Sequence, residues 1–143
     1  MFKSVLVVCT GNICRSPVGE RTLAALCPHL TVTSAGMGAL VGKGVDKNAA
    51  AVARAHNVNV EGHVARQITP EILAMHDLVL VMGSEHRQYI RENFPQASGK
   101  TMMFDKWERD EGIEDPYRQS VEFHELVFAE IDKSARSWAK RLG

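Results

Sequence analysis

The 143-residue sequence is poor in cysteine, with three, and in aromatic residues, which make up 6%. Three is an odd count, and 45% of the chain is hydrophobic, so the chain neither fits nor needs the disulfide framework that staples small secreted domains. This cysteine usage points to a reducing, cytoplasmic compartment. Excess charge is also lacking, since 17 Lys+Arg offset 17 Asp+Glu. A formal charge of zero argues against non-specific binding to nucleic acid or to an acidic membrane. Any anion must then be held by a local arrangement of charges and dipoles. No apolar run approaches the roughly 20 residues of a membrane span. The Val5–Val8 run behind Met1-Phe2-Lys3-Ser4 is too short for the apolar part of a signal peptide. There are no repeats, low-complexity tracts or blocks of like charge. The expectation is one domain over 1–143, with no nucleic-acid partner and no membrane insertion.

Several nucleotide, redox and metal signatures are missing too. There is no G-x-x-x-x-G-K-[ST], no G-x-G-x-x-G in the first turn and no H-E-x-x-H. Cys9 and Cys14 are five apart, which is neither a C-x-x-C pair nor a usual zinc-ligand spacing. No metal and no cofactor are expected.

What is present is an alternation of short apolar runs with helical ones. Ser4–Cys9 reads as a strand buried on both faces. Ser16-Pro17 reads as a helix start, Ser16 capping and Pro17 at the first helical position, running to about Cys27. A second strand is expected at Thr31–Ala35, then a glycine-rich loop from Gly36 to Gly44. Asp46 caps a helix to about His56, and Thr69-Pro70-Glu71 opens a short one. Asp77–Met82 is a buried strand, Ser84 caps a helix to about Asn93, and Lys100–Phe104 is a fourth strand. Phe104–Gln119 is a polar loop without period. A last helix spans about Ser120 to Leu142, with Phe123, Val127, Ile131, Trp138 and Leu142 on one face. The pattern predicts a three-layer doubly wound α/β domain, a four-stranded parallel sheet with helices on both faces. Ligands in such folds sit at the carboxyl ends of the strands beside a helix N-terminus.

The loop after the first strand is therefore the place to look. It reads Cys9-Thr10-Gly11-Asn12-Ile13-Cys14-Arg15-Ser16-Pro17. A cysteine ends a strand, an arginine follows six positions later, and a helix begins. Backbone N–H groups from Thr10 to Ser16 can converge on the oxygens of a tetrahedral dianion, and the helix adds about half a positive charge. Arg15 offers a planar fork for two oxygens, and Gly11 lets the backbone curl around the anion. The same field stabilises a thiolate at the Cys9 position. Alone, C-x5-R is common and buried strand cysteines are ordinary. Its place at a strand-to-helix turn before Ser-Pro is what singles it out.

These residues carry a resemblance. V-C-x-G-N-I-C-R-S-P with Asp115-Pro116-Tyr117 near the other end resembles the low-molecular-weight protein tyrosine phosphatases. Ser34-Ala35-Gly36, His63-Val64-Ala65-Arg66-Gln67 and the Asp77–Met82 strand match as well, so the likeness covers nearly the whole chain. The stretch Ser34–Gly42 is most similar to the bacterial exopolysaccharide-associated branch, the Wzb/Etp type. The resemblance implies a cytoplasmic enzyme that hydrolyses phosphotyrosine in proteins and is inhibited by phosphate-like oxyanions. It further implies a membrane tyrosine autokinase as partner, one that controls capsule or exopolysaccharide export.

By the same resemblance Cys9 is the nucleophile and forms a cysteinyl-phosphate, Arg15 binds the phosphate, and Asp115 is the general acid. Ser16 donates to the Cys9 sulfur. Asn12, Ser34 and His63 form the polar network that keeps the loop in shape. Cys14 is placed to pair reversibly with Cys9 and guard it against over-oxidation. Taken singly, Asp115-Pro116 also reads as a plain turn, and His63 as a surface loop histidine. The pocket wall departs from many relatives: Leu40 stands where an aromatic is frequent, and Arg118 follows Tyr117 where a second aromatic is. Arg118 is expected to favour acidic residues or phosphates near the target tyrosine. Gly83 stands where relatives often carry an aspartate. Two alternative readings compete with this one. A thioredoxin-coupled arsenate reductase shares the fold and loop but needs two further relay cysteines, and none occurs after Cys27. A non-catalytic phosphotyrosine-binding module predicts loss of Cys9, Arg15 or Asp115, and all three are present.

Overall fold

The computed structural model describes residues 2–143. Strands β1 (Ser4–Cys9), β2 (Thr31–Gly36), β3 (Leu78–Val81) and β4 (Thr101–Met103) form one sheet in the order β2-β1-β3-β4, every pair parallel. The runs are short, apolar and rich in β-branched residues, as strands covered on both faces require. Their side chains alternate between two cores. Val5, Val7, Leu78 and Leu80 face α1 (Arg15–Leu26), α2 (Lys47–Ala55) and α5 (Val121–Leu142). Leu6, Val8, Val79 and Val81 face the other way, against α3 (Pro70–Ala74) and α4 (Ser84–Asn93). Helices on both faces of a four-stranded parallel sheet are the architecture expected.

Most helix ends follow their local chemistry. Asp46 accepts from the N–H groups of Asn48 and Ala49 at 3.1 and 3.2 Å, and Thr69 from that of Ile72 at 3.1 Å. Ser120 accepts from Phe123 N–H at 3.2 Å to start α5, which buries Val127, Ile131, Trp138 and Leu142. Two caps differ from expectation. Helix α4 is capped by the extended residue Gly83, with Ser84 already inside the first turn. Helix α1 starts two residues early, with Cys14 at the cap position and no side-chain cap. Ser16 is its second residue and Pro17 its third, because the Ser16 hydroxyl is committed elsewhere. The segment before β4 is a 3-10 turn, Pro95–Lys100, which shortens that strand to three residues. The sheet order places the ends of β1 and β3 at the point where successive connections leave to opposite sides, where open α/β sheets form a crevice.

Candidate active site

Strand β1 delivers Cys9 to this crevice, opposite Gly36 of β2. A Cβ on Gly36 would overlap the Thr10 carbonyl oxygen and lie 3.0 Å from Asn12 N. Only glycine lets the end of β2 come this close to the loop. Asn12 turns the chain with φ 59°, a left-handed conformation that asparagine tolerates better than most residues.

Asn12 is fully buried and ties the loop together. Its Nδ2 donates to Ser16 Oγ at 2.7 Å and to Ser34 Oγ at 3.0 Å, and its Oδ1 accepts from Arg66 N–H at 3.0 Å. Its carbonyl oxygen accepts from His63 Nε2 at 2.7 Å. Ser34 donates onward to Glu20 Oε1 at 2.6 Å, and Arg66 Nε donates to Ser34 O at 2.9 Å. The direction of each proton follows. Ser16 Oγ already accepts from the Asn12 amide, so its own O–H is given to Cys9 Sγ, 2.9 Å away. The Ser16 N–H donates to the same sulfur at 3.4 Å. Two donors thus converge on a buried sulfur.

A cluster of unmet backbone donors is built from the same loop. Among the described residues, the backbone N–H groups of Gly11, Asn12, Ile13, Cys14 and Arg15 reach no acceptor in the fold. They surround the uncapped N-terminus of α1, where the helix field is positive. Arg15 is 3% exposed. Its Nη1 donates to Ile113 O at 2.8 Å. Its Nε is buried without a partner, and Nη2 lies 3.5 Å from Thr10 Oγ1 and 3.7 Å from Asp115 Oδ2. The Nε–Nη2 edge is therefore the uncommitted side of the fork, suited to two oxygens of one tetrahedral anion.

A cleft of about 170 Å³ joins these groups, lined by Cys9, Thr10, Arg15, Leu40, Asp115 and Tyr117 among others. Asp115 is half exposed, and its Oδ1 accepts the Tyr117 N–H at 3.0 Å in an Asx turn. Leu40 and Tyr117 stand partly exposed at the mouth. Arg118 is not in the lining; its guanidinium stacks 5.2 Å from the Tyr117 ring. Ile13 and Cys14 line the cleft too. Burial, with Asp46 behind it, pushes the Cys14 thiol well above the usual cysteine range. Cys9, Cys14 and Cys27 are all free. Among the described residues no group of three His, Cys, Asp or Glu side chains is arranged to hold a metal ion.

Besides Glu20, which accepts the Ser34 hydroxyl, two groups escape the sequence reading. Asp105, buried directly after β4, accepts the N–H groups of Glu111 and Gly112 at 3.2 and 3.0 Å. With Ile113 N–H bonded to Met82 O at 2.7 Å, it fixes the aperiodic loop that supplies Ile113 O and Asp115. His86, fully buried in the first turn of α4, places Nε2 2.9 Å from Thr10 Oγ1. The available signal is positional: Asp105 lies two residues past the carboxyl end of β4, and His86 sits in the first turn of the helix that follows β3.

The family described as low molecular weight phosphotyrosine protein phosphatase matches residues 4–143. The chain is 47% identical over 142 residues to the low molecular weight protein-tyrosine-phosphatase Wzb of Salmonella typhimurium, covering 99% of this chain and 95% of that one. Among solved structures it is similar to Vibrio vulnificus Wzb in complex with benzylphosphonate, at 44% identity and TM-score 0.96 over 99% of both chains. It is also similar to Escherichia coli K30 Wzb in complex with sulphate, at 43% identity and TM-score 0.98 over 100% of both chains. The chain belongs to the low-molecular-weight phosphotyrosine protein phosphatases, a family of cysteine-dependent phosphoric monoester hydrolases.

Proposed function

We propose that this protein hydrolyses phosphotyrosine in proteins through a cysteinyl-phosphate on Cys9. The observation that carries the reading is the convergence of two donors on Cys9 Sγ in the same cleft as the uncommitted edge of Arg15 and the carboxyl of Asp115. In the first step the Cys9 thiolate forms a P–S bond as the P–O bond to the tyrosyl oxygen breaks. Asp115, as the carboxylic acid, gives its proton to that leaving oxygen. Arg15 and the loop N–H groups hold the three non-bridging oxygens as charge shifts among them. In the second step the Asp115 carboxylate takes a proton from water as the water oxygen bonds to phosphorus. The P–S bond breaks, inorganic phosphate leaves, and Ser16 O–H receives the returning negative charge on sulfur.

Tyr117 and Leu40 flank the entrance, where a phenyl ring stacks and slides between them. The phosphoprotein partner we infer is the cytoplasmic tail of a bacterial membrane tyrosine autokinase that governs exopolysaccharide production. Support comes from the likeness to the Wzb and Etp phosphatases. Among the described residues no helix is long and apolar enough to cross a membrane, and action at the cytoplasmic face belongs to the same proposal.

Hydrolysis of an aryl phosphate in EDTA tests the chemistry. Wild type turns over and Cys9→Ser is inert; full activity of Cys9→Ser would overturn the mechanism. Asp115→Ala retains slow turnover and accumulates phosphoenzyme, which acid quench and intact mass measurement detect. A purified kinase tail, phosphorylated in vitro and left untouched by the wild type, would remove the partner assignment while leaving the chemistry in place.

A further inference from the structure

The steps above give no task to the buried imidazole of His86 beside the cleft. His86 is fully buried on α4, and none of the loop cradle or the Asn12 network reaches it. Among the described residues the imidazole ring makes a single hydrogen bond, with Thr10 Oγ1 at 2.9 Å. Its Nδ1 is buried without a partner. Burial, and then the nearby Arg15 charge, push it down to about 4, so the ring is neutral near pH 7 and carries one proton.

The position of that proton follows from the contacts. A proton on Nδ1 would strand a buried N–H donor, the rarer and costlier outcome in folded proteins. A proton on Nε2 is donated to Thr10 Oγ1 and leaves only a lone pair unmatched on Nδ1. The Thr10 oxygen then accepts from His86 and, at 3.5 Å, from Arg15 Nη2. Both of its lone pairs are engaged by donors, so its own O–H must point away from both. Thr10 lines the cleft beside Cys9 and Arg15. A hydroxyl fixed in this way is a donor looking for an anionic acceptor.

We propose that His86 is a positioning residue for phosphate recognition: its Nε2–H fixes the Thr10 hydroxyl, which steadies Arg15 Nη2 and presents its own proton to a phosphoryl oxygen over Cys9. This inference rests on the phosphatase reading of the site. It adds a side-chain donor to a cradle otherwise made of backbone N–H groups and one guanidinium. It also gives the helix after β3 a direct part in a site otherwise built on β1 and α1.

The test uses aryl phosphate turnover together with competitive inhibition by inorganic phosphate, on wild type, Thr10→Val, Thr10→Ser, His86→Gln and the Thr10→Val/His86→Gln double variant. Thr10→Val keeps the shape and removes the hydroxyl. It is expected to weaken phosphate inhibition and lower kcat/KM by about ten-fold, the scale of a lost hydrogen bond to an anion. Thr10→Ser restores both. His86→Gln weakens phosphate inhibition in the wild-type background but adds nothing once Thr10 is valine, since its effect passes through that hydroxyl. A purely structural role for His86 predicts the opposite, equal losses in either background. Thermal melts identify a His86→Gln chain that fails to fold, and Thr10→Val against Thr10→Ser then decides alone. Thr10→Val with phosphate inhibition and kcat/KM both within two-fold of wild type would overturn the inference while the phosphatase reading stands. A wild type inert toward aryl phosphate would instead bring down the reading itself, and this inference with it.

Discussion

Ser16 reads both as a helix cap and as a donor to Cys9 Sγ, and in the fold its hydroxyl makes only the second contact. The Asn12 amide fills its acceptor side at 2.7 Å, which leaves its proton for Cys9 Sγ. In the proposed mechanism the donor matters most when negative charge returns to sulfur as the P–S bond breaks. Ser16→Ala removes one charge-assisted hydrogen bond, worth about 1.5–3 kcal/mol. The expected result is a kcat lower by roughly ten- to a hundred-fold, with phosphoenzyme accumulating in a rapid-quench experiment. An unchanged phosphoenzyme fraction would place the serine outside the second step. Arg118 is the other residue whose setting sharpens its role. It holds φ 63° and stacks on Tyr117, so its charge is tethered beside the mouth rather than swinging freely. Arg118→Ala is expected to lower kcat/KM for phosphopeptides with acidic neighbours by about three- to five-fold, the scale of an exposed charge pair. Neutral phosphopeptides should be unaffected, and equal effects on both would sink the assignment.

At the scale of elements, the site depends on how closely β2 approaches the loop after β1. Gly36→Ala would drive a Cβ into the Thr10 carbonyl oxygen. Neither strand can retreat without breaking the Cys9–Gly36 register and the Gly36 N–H bond to Arg66 O at 3.0 Å. A loss of about 1–3 kcal/mol in unfolding free energy, together with weakened phosphate binding, is expected from urea titration and inhibition assays. Wild-type stability and inhibition in this variant would show that the contact relaxes without cost. The same scale explains what the chain discloses in one dimension. The strands are legible because residues covered on both faces read as unbroken apolar runs, as in Ser4–Cys9. Asp46 and Thr69 are legible as caps because each bond spans two or three residues. Gly83 and Cys14 are not, since those helix starts are set by the strand ends and the loop they serve. Asp105, His86 and Glu20 escape for a related reason. Their partners are Gly112, Thr10 and Ser34, brought together by topology rather than by spacing.

For the whole molecule, the buried histidines make stability depend on pH in a definite direction. His86 is pushed down from its ordinary value of 6.5 to about 4, first by burial and then by Arg15, with Glu85 and Asp115 partly offsetting the shift. His76 is lowered as well, chiefly by burial, with Arg66 and Lys100 adding to the shift while the Ile72 carbonyl and Asp77 oppose it. It donates from Nδ1 to Ile72 O and accepts the Thr33 hydroxyl at Nε2, both at 2.6 Å, so a second ring proton would force the Thr33 hydroxyl to turn from donor to acceptor. Above about pH 6.5 both rings are neutral folded and unfolded, and stability is full. Below 6.5 the unfolded chain takes up protons that the folded one refuses, so stability falls with pH. For His86 the loss is complete near pH 4 and amounts to roughly 3 kcal/mol. A second fall lies lower. Asp77, held below its ordinary 3.8 by the N–H groups of Lys3 and Ser4, loses its contribution only below that value. Urea midpoints measured from pH 8 to 3 are expected to stay flat to about 6.5, drop toward 4, and drop again below 3.8. His86→Gln removes the titrating group and should flatten the upper drop, leaving the smaller His76 share and the lower leg intact. An upper drop of wild-type size in His86→Gln would mean that the acid sensitivity arises elsewhere in the fold.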